Sequence, residues 1–210
     1  MLTYRNQAKH IIKNFKKRNI AGSYYDRHEA AVEAICQMIP DGILIGLGGS
    51  ETITETGLVE ALRKKNIRLL DRYKEGITQE EVESMRREAL LADVFIAGSN
   101  AITLDGKIVN QDGIGNRVAA MIYGPHKVIL MVGMNKIVKT VEDAIARIKT
   151  VAGPMDSIRM NKDTPCSKLG FCYDSQCHPP YRICSQLVII ESSLMPDRIH
   201  VVLVGESLGY

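Results

Sequence analysis

The sequence predicts an α/β fold: an open, mostly parallel sheet with helices on both faces, followed by a cysteine-rich loop and a C-terminal pair of strands. Three observations predict it. Short apolar runs begin at Ile43, Ile67, Val94 and Val128 and alternate with helix-type patterns, as expected for parallel strands joined by crossover helices. Three of those runs end in loops of Gly, Ser, Asn and Lys, at 46–51, 98–100 and 133–136. Parallel strands place their carboxyl ends on one sheet edge, so these loops should converge on one cleft. Finally, residues 93–121, DVFIAGSNAITLDGKIVNQDGIGNRVAAM, join a strand to a helix through two polar loops and a tight Asp105-Gly106 turn. Glycines let backbone amides approach a ligand, and amides at a helix start attract anions. The same residues also suit a hairpin followed by a helix cap at Gly115-Asn116, with no ligand.

Taken in order, residues 2–17 read as an amphipathic helix with Ala8, Ile11, Ile12 and Phe15 on its apolar stripe. Residues 22–26 favour an extended segment through Tyr24 and Tyr25. A helix over 27–38 offers Ala31, Ile35 and Ile39 to a core, and Cys36 reads as a small core residue. After the Pro40-Asp41-Gly42 turn and the strand at 43–45 comes Gly46-Leu47-Gly48-Gly49-Ser50-Glu51-Thr52. A strand, then glycines, then hydroxyls at a helix start can cradle an anion. The Walker A lysine and the dinucleotide glycine spacing are both missing. A plain cap at Ser50 or Thr52, with Glu55 completing a capping box, is the competing reading. Glu51 and Glu55 sit four apart. Such carboxylates serve either as base or nucleophile, or only to complement the helix dipole.

A second strand is expected at 67–70, and a helix over 78–91 capped by Thr78 with Glu81. Val118 opens another helix, and Gly124-Pro125 stops it. The strand at 127–132 runs into Gly133-Met134-Asn135-Lys136, where Lys136 is placed either to meet an anionic group or simply to be solvated. Val141, Ala144, Ile145 and Ile148 mark a helix over 140–151. Strands at 187–190 and 199–204 are expected to pair antiparallel, because their connection is too short for a crossover. The length of 210 residues suits one domain. Within it, residues 1–40 form an N-terminal helical part, 41–153 the α/β core, 154–186 a cysteine-rich excursion and 187–210 the terminal strands.

Four of the five cysteines fall in C-x5-C-x4-C-x6-C, at Cys166, Cys172, Cys177 and Cys184, with His178 beside the third. Clustered thiols on a loop suit zinc or an iron–sulfur cluster, although the spacing matches no common finger or ferredoxin. A loop packed by Phe171, Tyr173 and Tyr181 is the alternative. The net charge of +3 gives no reason to expect nucleic acid. No run is long enough to span a membrane, and residues 1–18 are too polar for a secretory signal, so a cytoplasmic protein is expected.

The run GSNAITLDGKIVNQDGIGNRVAAMIYGPHKVILMVGMNKIVK, with GLGGSETITETG, the PC–GFC–RIC segment and RIHVVLVGESLG, resembles the LUD (lactate-utilisation) domain family. The resemblance implies the fold shared by ribose-5-phosphate isomerase, glucosamine-6-phosphate deaminase and the CoA transferases. It also implies a component of lactate or related short-carboxylate utilisation that works with iron–sulfur redox partners. No flavin or nicotinamide fingerprint is readable, so redox chemistry would draw on a partner or a metal. Two other readings stay open: a non-catalytic ligand-sensing module, and a sugar-phosphate isomerase or CoA transferase-like enzyme. A homo-oligomer is a further candidate assembly.

The expected site follows from the converging loops. Gly48, Gly49, Ser50, Gly98, Asn100, Asn110, Gly113 and Lys136 are the candidate residues for an anionic small molecule. Glu55 and Asp112 are the candidate catalytic carboxylates, and Cys166, Cys172, Cys177 and Cys184 the candidate metal ligands.

Overall fold

The computed structural model describes residues 2–173 and 176–210; Met1, and Asp174 and Ser175 within the expected cysteine-rich excursion, lie outside the described residues. The strands are β1 (Ala21–Tyr25), β2 (Leu44–Leu47), β3 (Arg68–Leu70), β4 (Val94–Ala97), β5 (Ala101–Thr103), β6 (Ile108–Asp112), β7 (Lys127–Gly133), β8 (Ile137–Val138), β9 (Gln186–Ile190) and β10 (Ile199–Val204). The helices are α1 (Leu2–Lys17), α2 (His28–Gln37), α3 (Glu51–Glu55), α4 (Leu58–Arg63), α5 (Gln79–Glu88), α6 (Asn116–Ile122), α7 (Val141–Arg147), α8 (Gly153–Arg159) and α9 (Pro165–Leu169).

Six strands form one wholly parallel sheet in the order β1-β10-β7-β4-β2-β3. Side chains alternate across a strand, and β7 shows the result. Val128, Leu130 and Val132 face one apolar layer with Ala8, Ile11 and Phe15 of α1. Ile129 and Met131 face the other, with Ala31 and Ile35 of α2 and Leu58 and Leu62 of α4. Both faces of the central strands are therefore dry, which explains their unbroken apolar runs. Each fully buried Ile, Leu or Phe contributes about 1.5–3 kcal/mol. The expected capping box at the start of α5 is present, with Thr78 accepting from the Glu81 amide and Glu81 accepting from the Thr78 amide.

A second sheet, β8-β5-β6-β9, stands beside the carboxyl ends of the first. Its centre is the β5–β6 hairpin, closed at Gly106, whose φ of +88° requires glycine.

The structure corrects the pairing of the terminal strands. Strands β9 and β10 lie in different sheets. Strand β9 pairs antiparallel with β6, whereas β10 enters the main sheet, parallel to both β1 and β7. Burial explains the separation. The run Ile199–Val204 is buried at five of its six positions and fits an interior slot, while Gln186–Ile190 is partly exposed throughout and suits an edge. A short connection forbids a crossover between two strands only if they are neighbours.

Candidate functional site

The loops after β2, β4 and β7 meet at one edge of the main sheet. Tyr73, just beyond β3, secures the first of them: its hydroxyl donates to the Gly48 carbonyl at 2.8 Å and accepts from the Ser50 amide at 3.0 Å. Burial raises the Tyr73 pKa, so the phenol keeps its donor proton. Gly98, at the end of β4, lies so close to Ser50 that a Cβ there would collide with the serine hydroxyl. Arg147 of α7 joins the second and third loops, donating to the Asn100 carbonyl at 2.8 Å and the Asn135 carbonyl at 3.4 Å.

Arg117, in the first turn of α6, organises the β4–β6 region. Its Nε donates to Asp112 at 3.0 Å, Nη1 to Asn110 Oδ1 at 2.6 Å and the Gly98 carbonyl at 3.2 Å, and Nη2 to Asn100 Oδ1 at 3.0 Å and the Gln111 carbonyl at 2.9 Å. All five guanidinium protons are thus used. Asn100 and Asn110 also bind across the hairpin: the Asn100 amide donates to Asn110 Oδ1, and the Gln111 amide to Asn100 Oδ1. The second Asp112 oxygen accepts from the Arg117 and Val118 amides, capping α6. A carboxylate so fully engaged is suited to positioning Arg117 rather than to taking a proton from substrate.

Lys136 follows β7 in a single 3-10 turn and is only 4% exposed. Its ammonium donates to Thr52 Oγ1 at 2.8 Å and lies against Gly209. Burial, reinforced by Arg147 and Arg117 and opposed by Glu55 and Asp156, pulls its pKa down to about 7. At neutral pH this amine can either hold an anion or exchange a proton.

These elements enclose a cavity of about 510 Å³. Seven of the ten candidate ligand-binding and catalytic residues line it: Gly49, Ser50, Gly98, Asn100, Asp112, Gly113 and Lys136. Gly48 and Asn110 stand behind that wall, holding Tyr73 and Arg117. Glu55 lies outside the cavity. It is exposed and accepts a short hydrogen bond from the Gly209 amide. Glu51 lines the cavity instead, because α3 begins at Glu51 and has turned away by Glu55.

Sequence patterns did not reveal the cations of this cavity. Arg72, Arg86, Arg117, Arg159, Lys162 and Arg182 join Lys136 in its walls, against the carboxylates Glu51, Asp112 and Asp156. Arg159 is held by Asp156 at 2.7 Å and faces Glu51 at 3.6 Å. Arg72 is half-buried and forms no ion pair among the described residues. Burial, with Arg86 and Arg159 nearby, lowers its pKa. The one local signal was a lone arginine opening the apolar stripe of α6; Arg72 sits in the loop DRYKEG, which reads as ordinary solvated turn.

A matching family model lends this arrangement a lineage: the LUD domain, over residues 8–204. The chain belongs to the LUD domain family. Among solved structures, a DUF162 family protein from Deinococcus radiodurans is similar at 15% identity, covering 97% of each chain with a TM-score of 0.51. This LUD domain thus shares its fold with that protein from end to end. Ribose 5 phosphate isomerase A from Neisseria gonorrhoeae is similar at 14% identity, over 87% of this chain and 93% of that one, with a TM-score of 0.40. For eIF2B delta from Chaetomium thermophilum the values are 20%, 57%, 50% and 0.37. No curated protein matches the sequence. Among the described residues of this LUD domain, no helix is long and apolar enough to cross a membrane.

The cysteine segment borders the same cavity. Cys184 lines it, and also lines a second, small void of about 20 Å³ together with Cys166, Cys172, Lys149 and Arg182. Burial, with Cys166, Cys172 and Cys177 nearby, pushes the Cys184 thiol up to about 12. Cys36 is remote from these residues in α2, where burial likewise raises its pKa.

Proposed function

We propose that this LUD domain binds an anionic metabolite in the cavity at the strand ends, as a component of lactate or related short-carboxylate utilisation. One observation carries the reading: neither Arg72 nor Lys136 forms an ion pair among the described residues, although both line the cavity. A cation taken partly out of water without a carboxylate partner is stabilised by an anion that completes it. Arg72 offers a planar fork for a carboxylate, and Lys136 a point charge that can also give or take a proton. Gly49 and the Ser50 side chain lie on the adjoining wall, the Ser50 amide being taken by Tyr73. Electron transfer in oxidising a hydroxy acid falls to an iron–sulfur redox partner, as the family resemblance implies.

The cavity volume favours a second reading. About 510 Å³ is the size of a pocket for a drug-sized ligand, and a three-carbon acid fills only a fraction of it. A sugar phosphate or a CoA derivative uses the space and the remaining cations better. Calorimetric titration with lactate, pyruvate, ribose 5-phosphate and CoA separates the readings. Saturable binding of lactate or pyruvate, weakened by about tenfold or more in Arg72→Gln, supports the first. Binding of only the phosphorylated compounds replaces it with the second, and no binding by any of them at millimolar concentration overturns both. Lactate oxidation assayed with and without redox partners then distinguishes an enzyme component from a ligand sensor.

A further inference from the structure

We infer that Lys136 is a nucleophile whose side-chain nitrogen forms an imine with the carbonyl carbon of a 2-oxo acid bound in the cavity. The inference rests on the reading of the cavity as a site for an anionic short carboxylate, and it adds covalent capture to that reading.

An amine attacks a carbonyl when it is held in place, reaches the substrate and keeps its lone pair free of a proton. Lys136 is held in place. Its side chain is buried, yet it forms part of the cavity wall. Nζ donates to Thr52 Oγ1 at 2.8 Å, and that hydroxyl, itself fully buried, donates in turn to the Leu208 carbonyl at 3.4 Å. Gly209 closes in beside the pair: a Cβ there would stand 3.2 Å from Nζ and 2.7 Å from Thr52 Oγ1. One N–H is therefore committed to the protein, and the lone pair and second hydrogen remain for the substrate.

The surroundings also keep the amine neutral. Arg117 and Arg147 both repel a charge on Lys136, and both are fixed. Arg117 spends its five protons on the β4–β6 region, and Arg147 is bound to the Asn100 and Asn135 carbonyls. Glu55 and Asp156 oppose this repulsion, but each is engaged elsewhere, Glu55 by the Gly209 amide and Asp156 by Arg159. With a pKa of about 7, Lys136 at neutral pH has roughly a thousandfold larger neutral fraction than an exposed lysine titrating near 10.4.

The chemistry selects the substrate class. The nitrogen forms a bond to the carbonyl carbon, the carbon–oxygen bond breaks, and the oxygen leaves as water with the two amine hydrogens. No oxidant or reductant is consumed. The imine nitrogen then takes up a proton from solvent, which Thr52 is placed to accept as a hydrogen bond. That leaves a buried cation without an ion pair. A 2-oxo acid carries its own carboxylate on the carbon that joins the nitrogen, so the product is neutralised where it forms; a simple ketone leaves the charge uncompensated.

The test treats the full wild-type chain with pyruvate and sodium cyanoborohydride, which reduces an imine to a stable secondary amine. Mass spectrometry and peptide mapping should find one carboxyethyl group per chain, on Lys136, with a labelling rate that saturates as pyruvate rises. Acetone should label Lys136 more slowly by about tenfold or more, since a nearby opposite charge favours the protonated imine by at least that factor. In Lys136→Met, incorporation should fall to that of the exposed lysines. Calorimetry with pyruvate on the same preparation separates this inference from the reading beneath it. Saturable pyruvate binding without an adduct on Lys136 overturns the inference and leaves the anion site standing, whereas no binding and no adduct removes both. Label scattered over exposed lysines, or acetone reacting as fast as pyruvate, also overturns the inference.

Discussion

Lys136 and Thr52 meet across the ends of β7 and the β2 loop, with Nζ 2.8 Å from Oγ1 and both side chains buried. The lysine forms no ion pair among the described residues, and Glu55 and Asp156 only partly oppose its burial, so its charge is a cost to the fold that an anionic ligand would offset. Several expected outcomes follow from this pair and from the residues around it.

Replacing Lys136 with Met should stabilise the protein in acid. The folded pKa of about 7 lies below the ordinary 10.5. Between those values the unfolded chain holds more protons, so stability rises with pH across the window; below about 7 the full penalty of a buried ammonium applies. Lys136→Met removes that penalty, and Thr52 keeps its bond to the Leu208 carbonyl. Thermal unfolding should show Tm raised by more than about 4 °C at pH 6, with the gain shrinking as pH approaches 10. An unchanged or lower Tm at pH 6 would mean that the ammonium is better compensated than its neighbours suggest.

Arg72 should matter to binding rather than to stability. It forms no ion pair among the described residues and is partly desolvated, so Arg72→Gln is expected to leave stability unchanged or slightly raised. Anion affinity should fall by about tenfold or more, since hydrogen bonds to charged groups contribute roughly 1.5–3 kcal/mol. Denaturant melts and titrations on the same preparation measure both quantities.

Arg117→Lys is expected to be severely destabilising despite keeping the charge. Lysine cannot reproduce five donors in a fixed fork, and Asp112, Asn100 and Asn110 would lose their shared partner. Breaking a buried pair costs about 3–5 kcal/mol. Urea unfolding should show the midpoint falling accordingly, while a loss under about 1 kcal/mol would demote Arg117 from its organising place.

Gly98→Ala probes the contact between two strand-end loops. The new Cβ would collide with the Ser50 hydroxyl, and overpacking of this kind costs about 1–3 kcal/mol. Ser50→Ala removes that oxygen, so the double variant should recover a substantial part of the loss. Additive effects in the double-mutant cycle would show that the loops do not press on each other there.

The sequence by itself determined the strand–helix alternation, the carboxyl-edge loops after β2, β4 and β7, and local devices such as the Thr78–Glu81 box. These are legible because periodicity, glycine placement and capping act within a few residues of each other. Only the tertiary structure decided which strands became neighbours. It sent β9 to β6 and β10 between β1 and β7, since partner choice depends on matching burial between distant segments. It also decided the charge of the cavity. Arg72, Arg117, Arg159 and Arg182 arrive from four separate parts of the chain, and no local pattern distinguishes them from solvated arginines. Glu51 and Glu55 show the same limit at close range. Their spacing suggested one shared face, but where α3 starts and the capture of Glu55 by the Gly209 amide placed one carboxylate in the cavity and the other outside it. A side chain's direction is a local property, whereas the group it meets is set by the whole fold.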